Sequence, residues 1–380
     1  MEFTEEHSMF RASARNFLER EFEPRVDEWE AAGEMPLHEI FSTMADAGFL
    51  GLEYSPEFGG QGADHLYNAI FCEEMGRIHA ALAMASGVQT DMATPALARF
   101  GTDELKHRYL TPALRGRAVA SIAVTEPDAG SDVAAIRTRA ERDGDMWVIN
   151  GTKMFITNGA QADWLCLLVT TSDEGTRGMT QIVFPTDVEG FSVSRVLDKL
   201  GNRASDTTEL AFVDARVPVA NTIGEIGRGF HQQMAQFQNE RMSASYNAVG
   251  SMTRALERTA DYLRERRVFG EPLIDQQYVQ FRLAELSAEI DLLRQYNYSC
   301  AEAYMRGEDT TRFATIAKLK AGRLLREVAD TCIQFHGGIG YMEETWTARY
   351  FRDSRLASIG GGADEVMLYV LSRLDGFVGA

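Results

Sequence analysis

The sequence predicts a multidomain α+β chain. It has an N-terminal helical domain over residues 1–118, a middle antiparallel β domain over 119–226 and a C-terminal four-helix bundle over 227–380. Three observations predict it. Apolar residues recur at helical spacing up to about residue 118. Short alternating runs, separated by turn residues, then take over. From about Gly229 long amphipathic patterns return and persist. A chain of 380 residues, 45% of them apolar, is long enough for two or three domains and a sizeable core.

In the first segment, "EEHSMFRASARNFLEREFEP" places Phe10, Ala14, Phe17 and Leu18 on one helical face and should stop before Pro24. "LHEIFSTMADAGFLGL" and "YNAIFCEEMGRIHAALAMASG" repeat the pattern, with the loop "SPEFGGQGAD" between them. The texture changes at "RAVASIAVTEPDAGSD". In "MWVINGTKMFITNG" the Asn150-Gly151 pair predicts a hairpin turn. "DWLCLLVTT", "TQIVFPT", "FSVSRVL" and "TELAFVDARVPV" are further strands. Four helical patterns follow, the last of them "ADEVMLYVLSRLDGF", and short connections between them imply a bundle.

Composition narrows the function. A net charge of −18 disfavours a nucleic-acid partner, and the densest basic run, Arg264–Arg267, lies within a helical pattern. No apolar run is long enough for membrane insertion. The acidic start "MEFTEEHSMF" does not read as a secretory or transit segment. Cys72, Cys166, Cys300 and Cys332 are far apart, and no histidines stand at HxxxH spacing. Neither a metal site nor a disulfide framework is expected, and a cytoplasmic location is the default.

Several stretches can carry chemistry. "VTEPDAGSD" (Val124–Asp132) offers hydroxyls and backbone N–H groups, or is a plain turn. In "KMFITNG", Phe155 and Thr157 stand two apart on a strand and so share a face, where they pack in a core or meet a planar ligand. "RRVFG" (Arg266–Gly270) closes a helix, and its arginines either cap that helix or hold a pyrophosphate. "QFHGGIG" (Gln334–Gly340) is a weak phosphate-loop pattern. Glu240 in "NER" has an apolar flank. It is either an ion-pair partner of Arg241 or a carboxylate of raised pKa suited to a general base. "SIGGGADEVM" places three glycines before an acidic pair, Asp364 and Glu365, that suits a helix N-terminus.

These motifs, in this order and at this spacing, resemble the acyl-CoA dehydrogenase family over essentially the whole chain. The resemblance implies FAD as cofactor, an acyl-CoA substrate, an electron-transfer flavoprotein as acceptor and a homotetramer. It places Thr125 and Ser131 at the flavin and acyl-CoA, Phe155 against the flavin where many members have tryptophan, and Thr157 at the flavin ring. Arg266, Phe269 and Gln277 match residues that hold the adenine-diphosphate part of FAD from a neighbouring subunit. Gln334 and Gly338 match the glycine-rich FAD contact, and Ala363 stands where threonine is usual. Many members carry a catalytic glutamate in the loop before the last helix, but here that position is Gly361. A branch that includes isovaleryl-CoA and long-chain enzymes places the base on the first bundle helix in a Glu-Arg pair, which makes Glu240 the expected base and Arg241 its neighbour at the substrate. Gly360 and Gly361 then leave room beside the reacting carbons, and the Gly361 N–H is free for the thioester oxygen.

The activity this implies is the α,β-dehydrogenation of fatty-acid β-oxidation, on a medium, long or branched acyl-CoA, with members acting on citronellyl-CoA closest in form. The alternatives are a same-fold flavin oxidase or monooxygenase, and a non-catalytic member that binds acyl-CoA or a partner.

Overall fold

The computed structural model describes residues 3–378. Helix α1 (Glu5–Glu21) begins at Thr4, whose hydroxyl accepts the His7 N–H while the His7 ring accepts the Thr4 N–H. It ends ahead of Pro24, as the pattern requires. Then come α2 (Val26–Ala32), α3 (Leu37–Asp46), α4 (His65–Ile78) and α5 (Ala80–Gly87). The run read as one helix over residues 67–87 is broken at His79, where the backbone is extended. The His79 ring lies 3.1 Å from Glu30 Oε1, and the ligand atoms of Glu30, His79 and Asp353 lie within 4.8 Å of one another. That cluster ties the N-terminal helices to the C-terminal ones, and the Asn202 N–H of the β region donates to Asp353. A wide helical turn over Val88–Ala93 leads into α6 (Pro95–Phe100), and two short helices, α7 (Asp103–Leu105) and α8 (Thr111–Leu114), close the segment.

Seven strands follow: β1 (Ala120–Ala123), β2 (Arg139–Asp143), β3 (Met146–Thr157), β4 (Trp164–Thr170), β5 (Met179–Pro185), β6 (Phe191–Val196) and β7 (Thr207–Pro218). The sheet is mixed where an antiparallel one was expected. β4 runs parallel to β1 and antiparallel to β5, and meets β2 at one residue, while β2, β3, β7 and β6 pair antiparallel in that order. Trp147, Ile149, Leu165, Phe184 and Phe212 form its core. The hairpin turn expected at Asn150-Gly151 lies instead at Gly144, φ +64°, and Asn150-Gly151 sits inside β3. There the register against β7 slips. Asn150 and Asp214 exchange hydrogen bonds of 3.0 and 2.9 Å, and a Cβ on Gly151 would lie 2.5 Å from the Thr138 hydroxyl. Turn and bulge call for the same residue types, which is why the pair misleads.

The C-terminal part consists of α9 (Gly229–Glu265), the tiny hairpin β8 (Arg267–Val268) and β9 (Glu271–Pro272), then α10 (Gln277–Met305), α11 (Thr311–His336), α12 (Trp346–Ser354) and α13 (Asp364–Leu374). All four expected helices form. Helix α9 organises the site because it touches every part: α4, β5, α10 and α11. Its approach to α4 is close enough that a Cβ on Gly250 would stand 1.7 Å from the Glu73 carbonyl oxygen. Among the described residues no helix is long and apolar enough to cross a membrane.

Candidate active site

Glu240 lies about one third of the way along α9, and the glycine loop before α13 comes down onto it. A Cβ built on Gly361 would stand 3.0 Å from Glu240 Oε1. Gly361 and Gly362 have φ of +62° and +98°, so the chain turns here through the left-handed region that glycine tolerates. The Gly361 N–H has no hydrogen-bond partner among the described residues. Burial pushes the Glu240 carboxyl above its usual range, against the opposing charges of Arg241 and Lys318. Arg241 is 8% exposed and forms no salt bridge among the described residues, so the Glu240–Arg241 ion pair is not made. Successive residues on a helix point about 100° apart, which keeps the two heads separate.

Lys318 on α11 was not expected here. Its ammonium donates to the Gly362 carbonyl, and burial pushes its pKa down to about 8. A lone lysine in a helical stripe of Ala314, Ala317, Ala321 and Leu325 was the available signal. Asp364 and Glu365 open α13 as expected of capping acids, and Asp364 faces Arg323 and Arg326 at 3.5 and 3.6 Å rather than the cleft.

A second group lies on the β domain. The register of β3 slips again between Lys153 and Ile156, and Phe155, at φ +60°, is thrown outward to 65% exposure while Ile156 is buried. The expected simple alternation of Phe155 with Thr157 is therefore interrupted by a bulge. Thr125 is fixed beside Phe155 because its carbonyl accepts the Met154 N–H at 2.8 Å. The loop after it is anchored by Glu126, which accepts from the Arg137 and Thr138 N–H groups and from the buried Lys153 ammonium, at 2.6, 2.9 and 2.9 Å. Ser131 lies exposed on the same loop.

The third group sits at the far end of α9. Arg266 follows the last helical residue, and Phe269 and Gly270, with φ +54° and +93°, form the tip of the β8–β9 hairpin. The helical pattern reads as closing here and does not anticipate the hairpin. Phe269 is fully exposed. Gln277 begins α10, and Gln334 and Gly338 lie exposed at the end of α11, with nothing within 4 Å of a Cβ on Gly338. Arg266 is 26 residues beyond Glu240 on one helix, about 39 Å along its axis.

A cavity of about 370 Å³ opens between the loop after α3, helices α4 and α6, and α9. Helix α9 presents Gln232, Ala235, Gln236 and Asn239 to it, at i, i+3, i+4 and i+7. Glu240 is the next residue and sits one turn above Gln236. Nothing in the linear sequence brought Glu53, Asn68 and Asp91, which also line this space, to one place.

The comparisons agree with this architecture. The acyl-CoA dehydrogenase N-terminal, middle and C-terminal domain families match residues 4–117, 121–215 and 227–374. The rat mitochondrial long-chain specific acyl-CoA dehydrogenase is 34% identical over 374 residues, 98% of this chain and 86% of that protein. An acyl-CoA dehydrogenase of Geobacillus kaustophilus is 37% identical and superposes with a TM-score of 0.95 over 98% of each chain. A glutaryl-CoA dehydrogenase of Mycobacterium smegmatis, solved in complex with FADH2, is 26% identical with a TM-score of 0.94, over 100% of this chain and 96% of that one. The chain belongs to the acyl-CoA dehydrogenase family and is an oxidoreductase.

Proposed function

We propose that the protein dehydrogenates an acyl-CoA thioester to the trans-2-enoyl-CoA, with Glu240 as the base that takes the α-proton. The apposition of Glu240 and the bare Gly361 backbone carries this reading: a carboxylate stands against a loop residue whose N–H is unpartnered among the described residues. A base abstracts the α-proton efficiently only if the charge developing on the thioester oxygen is stabilised, and the Gly361 N–H is the donor for it. Raised basicity from burial suits Glu240 to the task. Lys318 holds the loop through the Gly362 carbonyl, which keeps the Gly361 N–H in position.

The residues fit FAD. Phe155 offers an exposed aromatic face, Thr125, Ser131 and Thr157 offer polar groups around it, and Gly338 offers open backbone. FAD, when bound, supplies the hydride acceptor for the β-carbon at N5. Arg266, Phe269 and Gln277 lie beyond the far end of α9, too distant to serve the flavin ring beside Glu240 of their own chain. Their exposure supports a homo-oligomer, read as a homotetramer, in which they hold the adenine side of a neighbour's FAD with Gln334, Gly338 and Ala363 completing the cradle. The electron-transfer flavoprotein is the proposed acceptor.

The cavity along α9 is read as the acyl compartment, with Arg241 and Gly360 at its reacting end. The nearest atoms to a Cβ on Gly360 would be the Leu356 side chain at 3.4–3.5 Å and its carbonyl at 3.8 Å, so the glycine leaves width that a medium, long or branched chain can use. The test is anaerobic bleaching of the flavin absorbance by a panel of straight and branched acyl-CoAs. Bleaching by any of them without oxygen supports the dehydrogenase. Peroxide formation at turnover rates with no other acceptor would support an oxidase instead, and absence of bleaching across the panel would overturn the reading.

A further inference from the structure

A compartment made for hydrocarbon has apolar walls with few polar groups. The cavity beside Glu240 departs from this. Phe49, Phe71, Ala96 and Leu110 line it, but so do the carboxylates of Glu53 and Asp91. Asp91 is 4% exposed; the Asn68 amide donates to it at 3.2 Å and the Ser243 hydroxyl lies against it. Glu53 is bonded to the His65 ring at 2.8 Å, and the other ring nitrogen of His65 is held by the Tyr246 hydroxyl at 3.0 Å. The one cation on the lining, Arg99, is exposed and forms no salt bridge among the described residues. Gln232 lines the cavity at 3% exposure with its side-chain carbonyl unpartnered, and the Asn239 carbonyl, beside the base, is unpartnered too.

The buried part of the lining thus offers open acceptors, while its free donors, the Arg99 guanidinium and the Tyr304 hydroxyl, belong to exposed residues. A carboxylate has about four acceptor sites, and Asn68 and Ser243 leave some of those on Asp91 open. Burial, and then the charge of Glu53, push the Asp91 carboxyl up to about 7. Leaving buried acceptors unmatched is costly, and a ligand that brings a donor removes the cost.

We propose that this compartment takes an acyl group carrying a hydrogen-bond donor, a hydroxyl or an ammonium, several carbons from the thioester, received by Asp91 and Glu53. The inference rests on reading the cavity as the acyl compartment. Both donor types satisfy the lining, and they differ in charge. An ammonium would be drawn by the two carboxylates, whereas a hydroxyl needs only their lone pairs.

The experiment uses the FAD-loaded protein with hexanoyl- to dodecanoyl-CoA and the ω-hydroxy and ω-amino derivative of each. Two quantities are read: kcat/KM for anaerobic flavin reduction, and the calorimetric dissociation constant of each matching enoyl-CoA. At one chain length or more, a donor-bearing compound should exceed its parent by at least about tenfold in both. Asp91→Leu should abolish the advantage. Asp91→Asn, which keeps the shape and the Asn68 contact, should remove the advantage of the ammonium and spare that of the hydroxyl. Parent chains that match or outperform their derivatives at every length would overturn the inference while leaving the dehydrogenase intact. If no compound bleaches the flavin, the proposed function fails, and the dissociation constants still decide whether the cavity prefers a donor.

Discussion

Replacing Gly361 with alanine tests the central contact of the site. The new methyl would start 3.0 Å from Glu240 Oε1, inside ordinary carbon–oxygen contact, so the carboxylate or the loop must shift by a few tenths of an ångström or more. The backbone at φ +62° also disfavours a side chain, by about 1–2 kcal/mol. Spread over a chain of 380 residues, that is a fall in melting temperature of about 1–3 °C. Catalysis is more sensitive to position: a displacement of about 1 Å at a reacting group costs on the order of 100-fold. The expected result is therefore a mild thermal shift with retained FAD and a drop of about 10–100-fold in single-turnover flavin reduction by stopped flow. A variant that reduces at the wild-type rate would refute the claim that Gly361 and Glu240 share one reaction space.

Other perturbations test separate links. Glu240 acts as a base only when deprotonated, so the reduction rate should fall as pH drops through its raised pKa. Lys318→Met removes a positive charge that favours the ionised carboxylate, and should move that acid limb to higher pH; an unmoved limb would deny Lys318 this role. Gly250→Ala forces a methyl into the Glu73 carbonyl at 1.7 Å and should destabilise the α4–α9 contact by about 1–3 kcal/mol or more, read by denaturant unfolding. Phe269→Ala changes a fully exposed side chain and should leave the unfolding free energy of the apoprotein within about 0.5 kcal/mol. The same variant should lose FAD on gel filtration, and full flavin retention would argue against a role across subunits.

The helical segments were legible because burial on one face imposes the 3.6-residue period: α1 stops where Pro24 demands, and α13 starts where the acidic pair demands. Most strand positions were legible too, β2 excepted, but pairing was not. Whether β4 lies parallel to β1 depends on residues far apart in the chain, and Asn150-Gly151 satisfies a bulge as well as a turn. For the site, the residues alone left Glu240 divided between ion pair and base. The ordered motif set favoured the base, and the fold adds what no linear pattern carries, the loop glycine set against the carboxylate. Lys318 was visible as a charged residue on an apolar stripe but had no stated partner. Asp91 and Glu53 come to one space only when the loop after α3 and the turn over Val88–Ala93 close against α9.

The most direct test of the account is single-turnover anaerobic reduction of Glu240→Gln, with the acyl-CoA that best reduces the wild type. The amide keeps the shape of the side chain and cannot accept the α-proton. Fold and FAD content should be unchanged, and the rate should fall by about 100- to 10,000-fold, the usual contribution of a general base. Reduction at the wild-type rate would contradict the assignment of Glu240 as the base and with it the mechanism.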